Sequence, residues 1–405
     1  MLLAHLKFLK KKLKKQKQLN KFRIELSDKN VRLFYTLNQL GIMNKNRDLK
    51  LNCMAIGSLP HKDFNSAMQI VKRNFSLIPF WPQLAKLNKN EDMIVQYLEN
   101  MPGLVVDLDA EKIYLENETD EFFEQLENLF LDYEEITLNK DAGVLDKYAI
   151  TEQYSSTFKP FLDIVKDTKP KYAKGQVVGP FTLATTLTNR ENKCAFYDET
   201  LREIVVKTLA LKALWQIKEI KNANSSTIPI IFIDEPSISQ LGTSAFITVT
   251  KEDVIEIIKA VSDLIKENGA LSAIHCCGKC DWTVPIECGV DIINFDGYAF
   301  AQNLSLFSEE LKPFLQNGGL IAWGIVPTLD KDALEQANID TMVEKFDEAI
   351  DYLVKKGIDK SLLINNSMVT PSCGAGSLTV ELSEKAMNLT RELSLKLKEK
   401  MERNK

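Results

Sequence analysis

His275 and Cys277 sit one residue apart in the stretch SAIHCCGKCDW (272–282), directly after an apolar run that reads as a β-strand. Residues i and i+2 of an extended strand point the same way, so an imidazole and a thiol share one face. A third donor of the same kind, Cys373, stands in TPSCGAG (370–376), again just past an apolar run. Imidazole with two thiolates is a zinc donor set, and three protein ligands with a fourth position open is what a catalytic rather than a structural zinc needs. Free cysteine is also a common buried hydrophobe, and Cys194, Cys276 and Cys288 are read that way. The set His275, Cys277 and Cys373 is read as a metal site because one constellation accounts for three residues at matching strand ends. Cys277 and Cys280 also form a CxxC, a redox pair or half of a zinc knuckle, but no second CxxC completes a knuckle.

These donors need elements to hold them. From about residue 53 onward, short β-branched runs alternate with longer amphipathic stretches, the pattern of parallel βα units. Eight candidate strands follow in order: 53–59, 103–109, 175–183, 228–235, 270–276, 290–296, 319–326 and 361–369. Helices are expected at 63–73, 91–100, 199–222, 251–268, 331–356 and 383–402. In 251–268 Val254, Ile257, Ile258, Val261, Leu264 and Ile265 form one stripe, Thr250 and Asp253 make a capping box, and Gly269 is the stop signal. Eight strands with intervening helices point to a (β/α)8 TIM barrel. The rival, an open doubly wound sheet, should carry a Gly-rich phosphate turn after its first strand, and IGSLPHKD is not one. The polar link 110–174 reads as a helical insertion between strands two and three, over one barrel mouth, and not as a strand pair. In such a barrel the strand C-termini carry the chemistry, which brings Ser58, Asp234, Glu235, His275, Cys277, Asp296 and Cys373 to one rim.

The chain has 405 residues, 45% hydrophobic and 26% charged, enough for a substantial core. Residues 1–53 hold 14 Lys and Arg against 3 Asp and Glu, so the rest of the chain is strongly acidic if the whole carries −5. A basic N-terminal extension (1–50) therefore precedes a barrel domain (51–405). Nucleic-acid binding by that acidic domain is not expected, because phosphate neutralisation needs clustered Lys and Arg. No window is apolar enough for a membrane span, and lysines interrupt the opening segment too often for a secretory signal. The seven cysteines are an odd number, three of them crowded into 276–280, which suits reduced thiols in the cytoplasm better than a disulfide framework.

The segments IGSLP, GPFTL, FIDEP, HCCG and TPSCG, in that order, resemble the catalytic C-terminal half of cobalamin-independent methionine synthase. They are also similar to the zinc methylcorrinoid:thiol methyltransferases of the uroporphyrinogen decarboxylase superfamily. The resemblance covers about 53–400 and implies a Zn2+ enzyme that moves a methyl group to a small-molecule thiol. It implies His275, Cys277 and Cys373 as ligands, with Asp296 near the place of the family's fourth, carboxylate ligand. Asp234 matches the residue that grips the amino group of homocysteine, and Ile56, Gly57 and Ser58 match its backbone-binding segment. Gln96 stands where the family has a glutamate. The family's histidine acid after strand seven is missing from WGIVPT (323–328), and His61 is the candidate to replace it, although a histidine there reads first as a surface residue. The methyl donor is either methyltetrahydrofolate or a methylcorrinoid carried by a separate protein. The second is favoured because the half that helps hold folate is missing. Two other classes remain: a tetrapyrrole decarboxylase, for which CMAIGSLPHKDF lacks the arginines, and a zinc or redox sensor using Cys277 with Cys280.

Overall fold

The computed structural model describes residues 47–107, 112–139 and 142–403, so all but the end of the basic extension lies outside the described residues. The described strands are β1 (Leu104–Asp107), β2 (Lys112–Leu115), β3 (Tyr172–Val178), β4 (Thr188–Asn189), β5 (Ile228–Asp234), β6 (Leu271–Cys276), β7 (Ile292–Phe295), β8 (Leu320–Val326) and β9 (Ser367–Pro371). Six of them form a parallel sheet in the order β3-β5-β6-β7-β8-β9, curved into a half-barrel. β3, β7, β8 and β9 are buried at every position, and β5 and β6 at all but the first. That is why these strands read as continuous apolar runs rather than as alternations: a parallel sheet is covered on both faces.

The closed eight-stranded TIM barrel expected from the sequence is not formed. The segment 53–59 builds no strand and makes only single bridges, Cys53 with Val369 of β9 and Ser58 with Gln83. The irregular stretch around Phe80 likewise bridges once to Lys174 of β3. The second expected strand, 103–109, leaves the main sheet altogether. Its core, β1, pairs antiparallel with β2, and β2 pairs in parallel with the two-residue β4 in a separate mixed sheet. The physical reason lies in its faces: Leu104 and Val105 are half-buried and Val106 is 40% exposed, whereas a barrel strand must be covered on both sides. The polar link therefore does supply a strand, contrary to expectation, along with the helices Asp120–Glu134 and Phe158–Thr168.

Smaller differences have local causes. The expected helix 91–100 is reduced to the 3-10 turns Lys89–Glu91 and Val95–Tyr97. The third expected strand ends at Val178 because Pro180 starts the helix Pro180–Thr186, where its missing N–H is no loss. The eighth begins as the helix Lys360–Asn365 before β9. The helix Lys251–Glu267 forms as read, with the reciprocal Thr250–Asp253 capping box and Gly269 at φ +71° beyond its end. No helix of the described residues is long and apolar enough to cross a membrane.

One packing detail decides where chemistry can occur. Phe232, Ala273 and Ile292 belong to a single buried cluster with Met54, Ala322 and Met368. Two residues further along the same strands stand Asp234, His275 and Asn294. Because side chains alternate along a strand, these three lie on the same face as the cluster, one layer nearer the strand C-termini.

Candidate metal and substrate site

Register sets the floor of the site. Asp234 is paired with His275 across β5 and β6, and His275 with Asn294 across β6 and β7, so the three side chains stand at one level on adjacent strands. Cys277 follows the last residue of β6. Cys373 comes from the loop after β9, and several contacts fix that loop. Cys373 N donates to Thr328 Oγ1 at 2.9 Å, and the Thr328 hydroxyl donates to Cys373 O at 2.9 Å. Ala375 N donates to Ser58 O at 2.9 Å, and a Cβ on Gly374 would overlap Ser58 Oγ, so any larger residue there must displace the Ser58 hydroxyl.

Residues nearly a hundred positions apart thereby converge. The ligand atoms of His275, Cys277 and Cys373 all lie within 4.8 Å of one another, and Cys373 Sγ is 3.6 Å from His275 Nε2. This group could hold a metal ion: its donors are borderline-soft, and bonds of about 2.0–2.3 Å to a common tetrahedral centre fit the 3.6 Å between Cys373 Sγ and His275 Nε2. The other imidazole nitrogen, Nδ1, is 2.6 Å from Asn294 Oδ1. Asn294 Nδ2 in turn donates to Ala322 O at 2.7 Å and to Thr370 Oγ1 at 2.8 Å.

The electrostatics are those of a thiolate site. Hydrogen bonds from Cys373 and His275 hold the Cys277 thiol well below its ordinary value against the opposing effect of burial. The same contact, with burial, raises Cys373. Burial works against a charge on His275, but the Cys277 contact and the Asp234 carboxylate outweigh it and raise the imidazole above its usual value. Burial raises Asp234, partly offset by Lys174 and His275.

No family model and no curated protein matches this chain. What the site can do rests on its own atoms. Asp234 is 8% exposed and its Oδ1 has no hydrogen-bond partner among the described residues, an acceptor left open beside the thiols. Ile56, Gly57 and Ser58 line the same region through a buried polar network. Lys174 Nζ donates to Ile56 O and, at 2.9 Å, to Gln176 Oε1, while Gln83 N donates to Gly57 O at 3.1 Å. A Cβ on Gly57 would come within 2.9 Å of Gln83 Oε1. Gln96 is fully buried, accepting from Gln83 Nε2 at 2.8 Å and donating to Tyr154 O at 2.8 Å, so both ends of its amide are engaged.

Three expectations fare differently. Asp296 does not join the converging donors. Its Oδ1 accepts from Ala299 N at 2.9 Å and caps the helix Gly297–Leu304, and burial raises its pKa to about 6. His61 is not a surface residue: it is 2% exposed, lacks a hydrogen-bond partner among the described residues, and its Nε2 lies 3.8 Å from Glu384 Oε1 on the helix Val380–Arg403. Cys280 is buried with its thiol against Cys276, whereas Cys277 faces Cys373 and His275, so the CxxC cysteines are not each other's partners.

Reasoning from sequence missed Asn294, Lys174, Gln83 and Gln176. Three of them carried a readable signal. Asn294 in IINF, and Lys174 and Gln176 in YAKGQVV, are polar side chains inside strands that are buried at every position. A polar group in such a place must have a partner.

Proposed function

We propose that this chain is a zinc-dependent methyltransferase that places a methyl group on the sulfur of a homocysteine-like thiol. The observation that carries the reading is the convergence of His275, Cys277 and Cys373 beside a buried carboxylate oxygen of Asp234 that has no partner among the described residues. A site with two sulfur donors, one imidazole and one open anionic acceptor suits a ligand with a thiol at one end and an ammonium at the other. Bound zinc would supply the positive charge that keeps an incoming thiol deprotonated near neutral pH.

The protein's own residues do the rest. His275, Cys277 and Cys373 would hold the metal, and the β5–β6 register sets Asp234 one strand away to accept the ammonium of the acceptor. The backbone of Ile56–Ser58, held by Lys174 and Gln83, would line the acceptor's other side. The new sulfur–carbon bond forms as the donor's bond to the methyl carbon breaks. That electron pair stays with the donor, and the thiol proton passes to solvent. The donor is proposed to be a methylcorrinoid on a separate protein, with methyltetrahydrofolate as the second choice. A decarboxylase-like lyase or a Cys277–Cys280 sensor is less well supported, the sensor because Cys280 faces Cys276.

The test is zinc-edge X-ray absorption with and without homocysteine, paired with transfer assays using methylcob(III)alamin and methyltetrahydrofolate. One zinc per chain, a gain of one sulfur neighbour on adding homocysteine, and methionine formed from one donor are expected. A protein that takes up no zinc, or whose zinc neighbours are unchanged by any thiol, would exclude the reading.

A further inference from the structure

Asn294 links the strand of His275 to the strand that leads to Cys373. It stands on β7, bonds to His275 on β6, and bonds to Thr370 on β9, three residues before Cys373. It is fully buried. The chemistry of its partners fixes which way round its amide lies. Ala322 O is a backbone carbonyl and can only accept, so the atom 2.7 Å from it must be the amide nitrogen. The amide oxygen is then the atom facing His275, and an oxygen of this kind can only accept. At 2.6 Å, His275 Nδ1 must therefore carry the proton it donates. A neutral imidazole has one N–H, so its lone pair is at Nε2, the nitrogen 3.6 Å from Cys373 Sγ.

We propose that Asn294 is the positioning residue of this metal site: its amide selects the Nδ1–H tautomer of His275 and so presents the Nε2 lone pair to the centre shared with Cys277 and Cys373. The proposal rests on the reading that these three residues hold a metal. It adds that the outer partner is a neutral amide rather than a carboxylate, so it orients the ring without adding a further negative charge. Through Thr370 the same amide ties the strand of His275 to the strand that delivers Cys373, so tautomer and donor spacing are set by one side chain.

The experiment separates the two ideas. Long-range nitrogen–proton correlation spectra of isotope-labelled histidine report the tautomer of each ring without any metal. Three histidines make the spectrum assignable. In the metal-free protein, above the pH at which His275 loses its second proton in the same spectra, the wild type should show Nδ1–H. Asn294→Leu should revert to the Nε2–H form, and Asn294→Asp, which keeps an acceptor, should retain Nδ1–H. Zinc titration against a competing chelator should then show affinity reduced about 10- to 100-fold in Asn294→Leu, with partial recovery in Asn294→Asp. A wild type with Nε2–H overturns the proposal even if Asn294→Leu fails to fold, as does zinc affinity in a folded Asn294→Leu equal to wild type. A wild type showing Nδ1–H but binding no zinc would instead defeat the functional reading on which the metal role depends.

Discussion

Asp234 Oδ1 is a buried acceptor with no hydrogen-bond partner among the described residues, and burial of that kind costs free energy unless something fills it. If an ammonium fills it, Asp234→Asn should raise KM for an amino-bearing thiol by about 10- to 100-fold, the value of a hydrogen bond to a charged group. Transfer to a simple alkyl thiol should be unchanged, and steady-state kinetics with the two acceptors would show an equal loss if Asp234 acted on the metal instead. The cysteines make a second test. Cys373→Ala should lose zinc, measured by atomic emission, while circular dichroism and the thermal midpoint change little, because an open catalytic site contributes less to folding than a closed structural one. Cys280→Ser should keep one zinc per chain, since its thiol faces Cys276. His275, Cys277, Cys373 and Asp234 were legible in the sequence because each needs only its own type and its position at a strand end. Asn294 and Lys174 were legible only as buried polar groups in need of a partner, because their roles depend on which atoms of other strands they meet, and spacing along one strand carries no such information.

Elements were legible where their cause is local and obscure where it is not. The stripe and capping box of Lys251–Glu267 are both written within eighteen residues, and both appear in the fold. The strand count failed at 53–59 and 103–109 because an apolar run does not specify whom it pairs with. Leu104–Asp107 turned to an antiparallel neighbour in a second sheet, and CMAIGSL kept only single bridges. That irregularity is put to use at Gly57 and Gly374, where the Gln83 amide and the Ser58 hydroxyl occupy the space a Cβ would take. Gly374→Ala should therefore displace the loop that carries Cys373 at an overpacking cost of about 1–3 kcal/mol. Zinc affinity by competition should weaken in step with that cost while the far side of the sheet, followed by amide exchange, stays protected. Unchanged affinity would mean the loop can yield without moving Cys373.

At the scale of the molecule, the half-barrel buries charge as well as apolar surface. Lys174 lies inside it, and burial pushes its ammonium down to about 8, partly countered by Asp234. Below about pH 8 the lysine is protonated in both folded and unfolded chains; between about 8 and 10.5 the folded chain sheds the proton first. The unfolded state then binds more protons, so stability attributable to Lys174 rises with pH across that window. Urea unfolding of wild type and Lys174→Met at about pH 7.5 and about pH 10 should show wild type gaining up to about 3 kcal/mol relative to the variant. A difference that stays level would mean that folded Lys174 holds its proton as an exposed lysine does, and one that falls with pH would mean that the folded chain holds the proton more tightly than the unfolded chain. The level row of Asp234, His275 and Asn294 has one more consequence. On paired strands a slip of one residue exchanges inner and outer faces, so a mispaired molecule would send a member of that row outward rather than weaken it slightly. Half-assembled sites are then not expected in a partly misfolded preparation: if the proposed transfer is this chain's activity, turnover per mole should count the correctly assembled fraction.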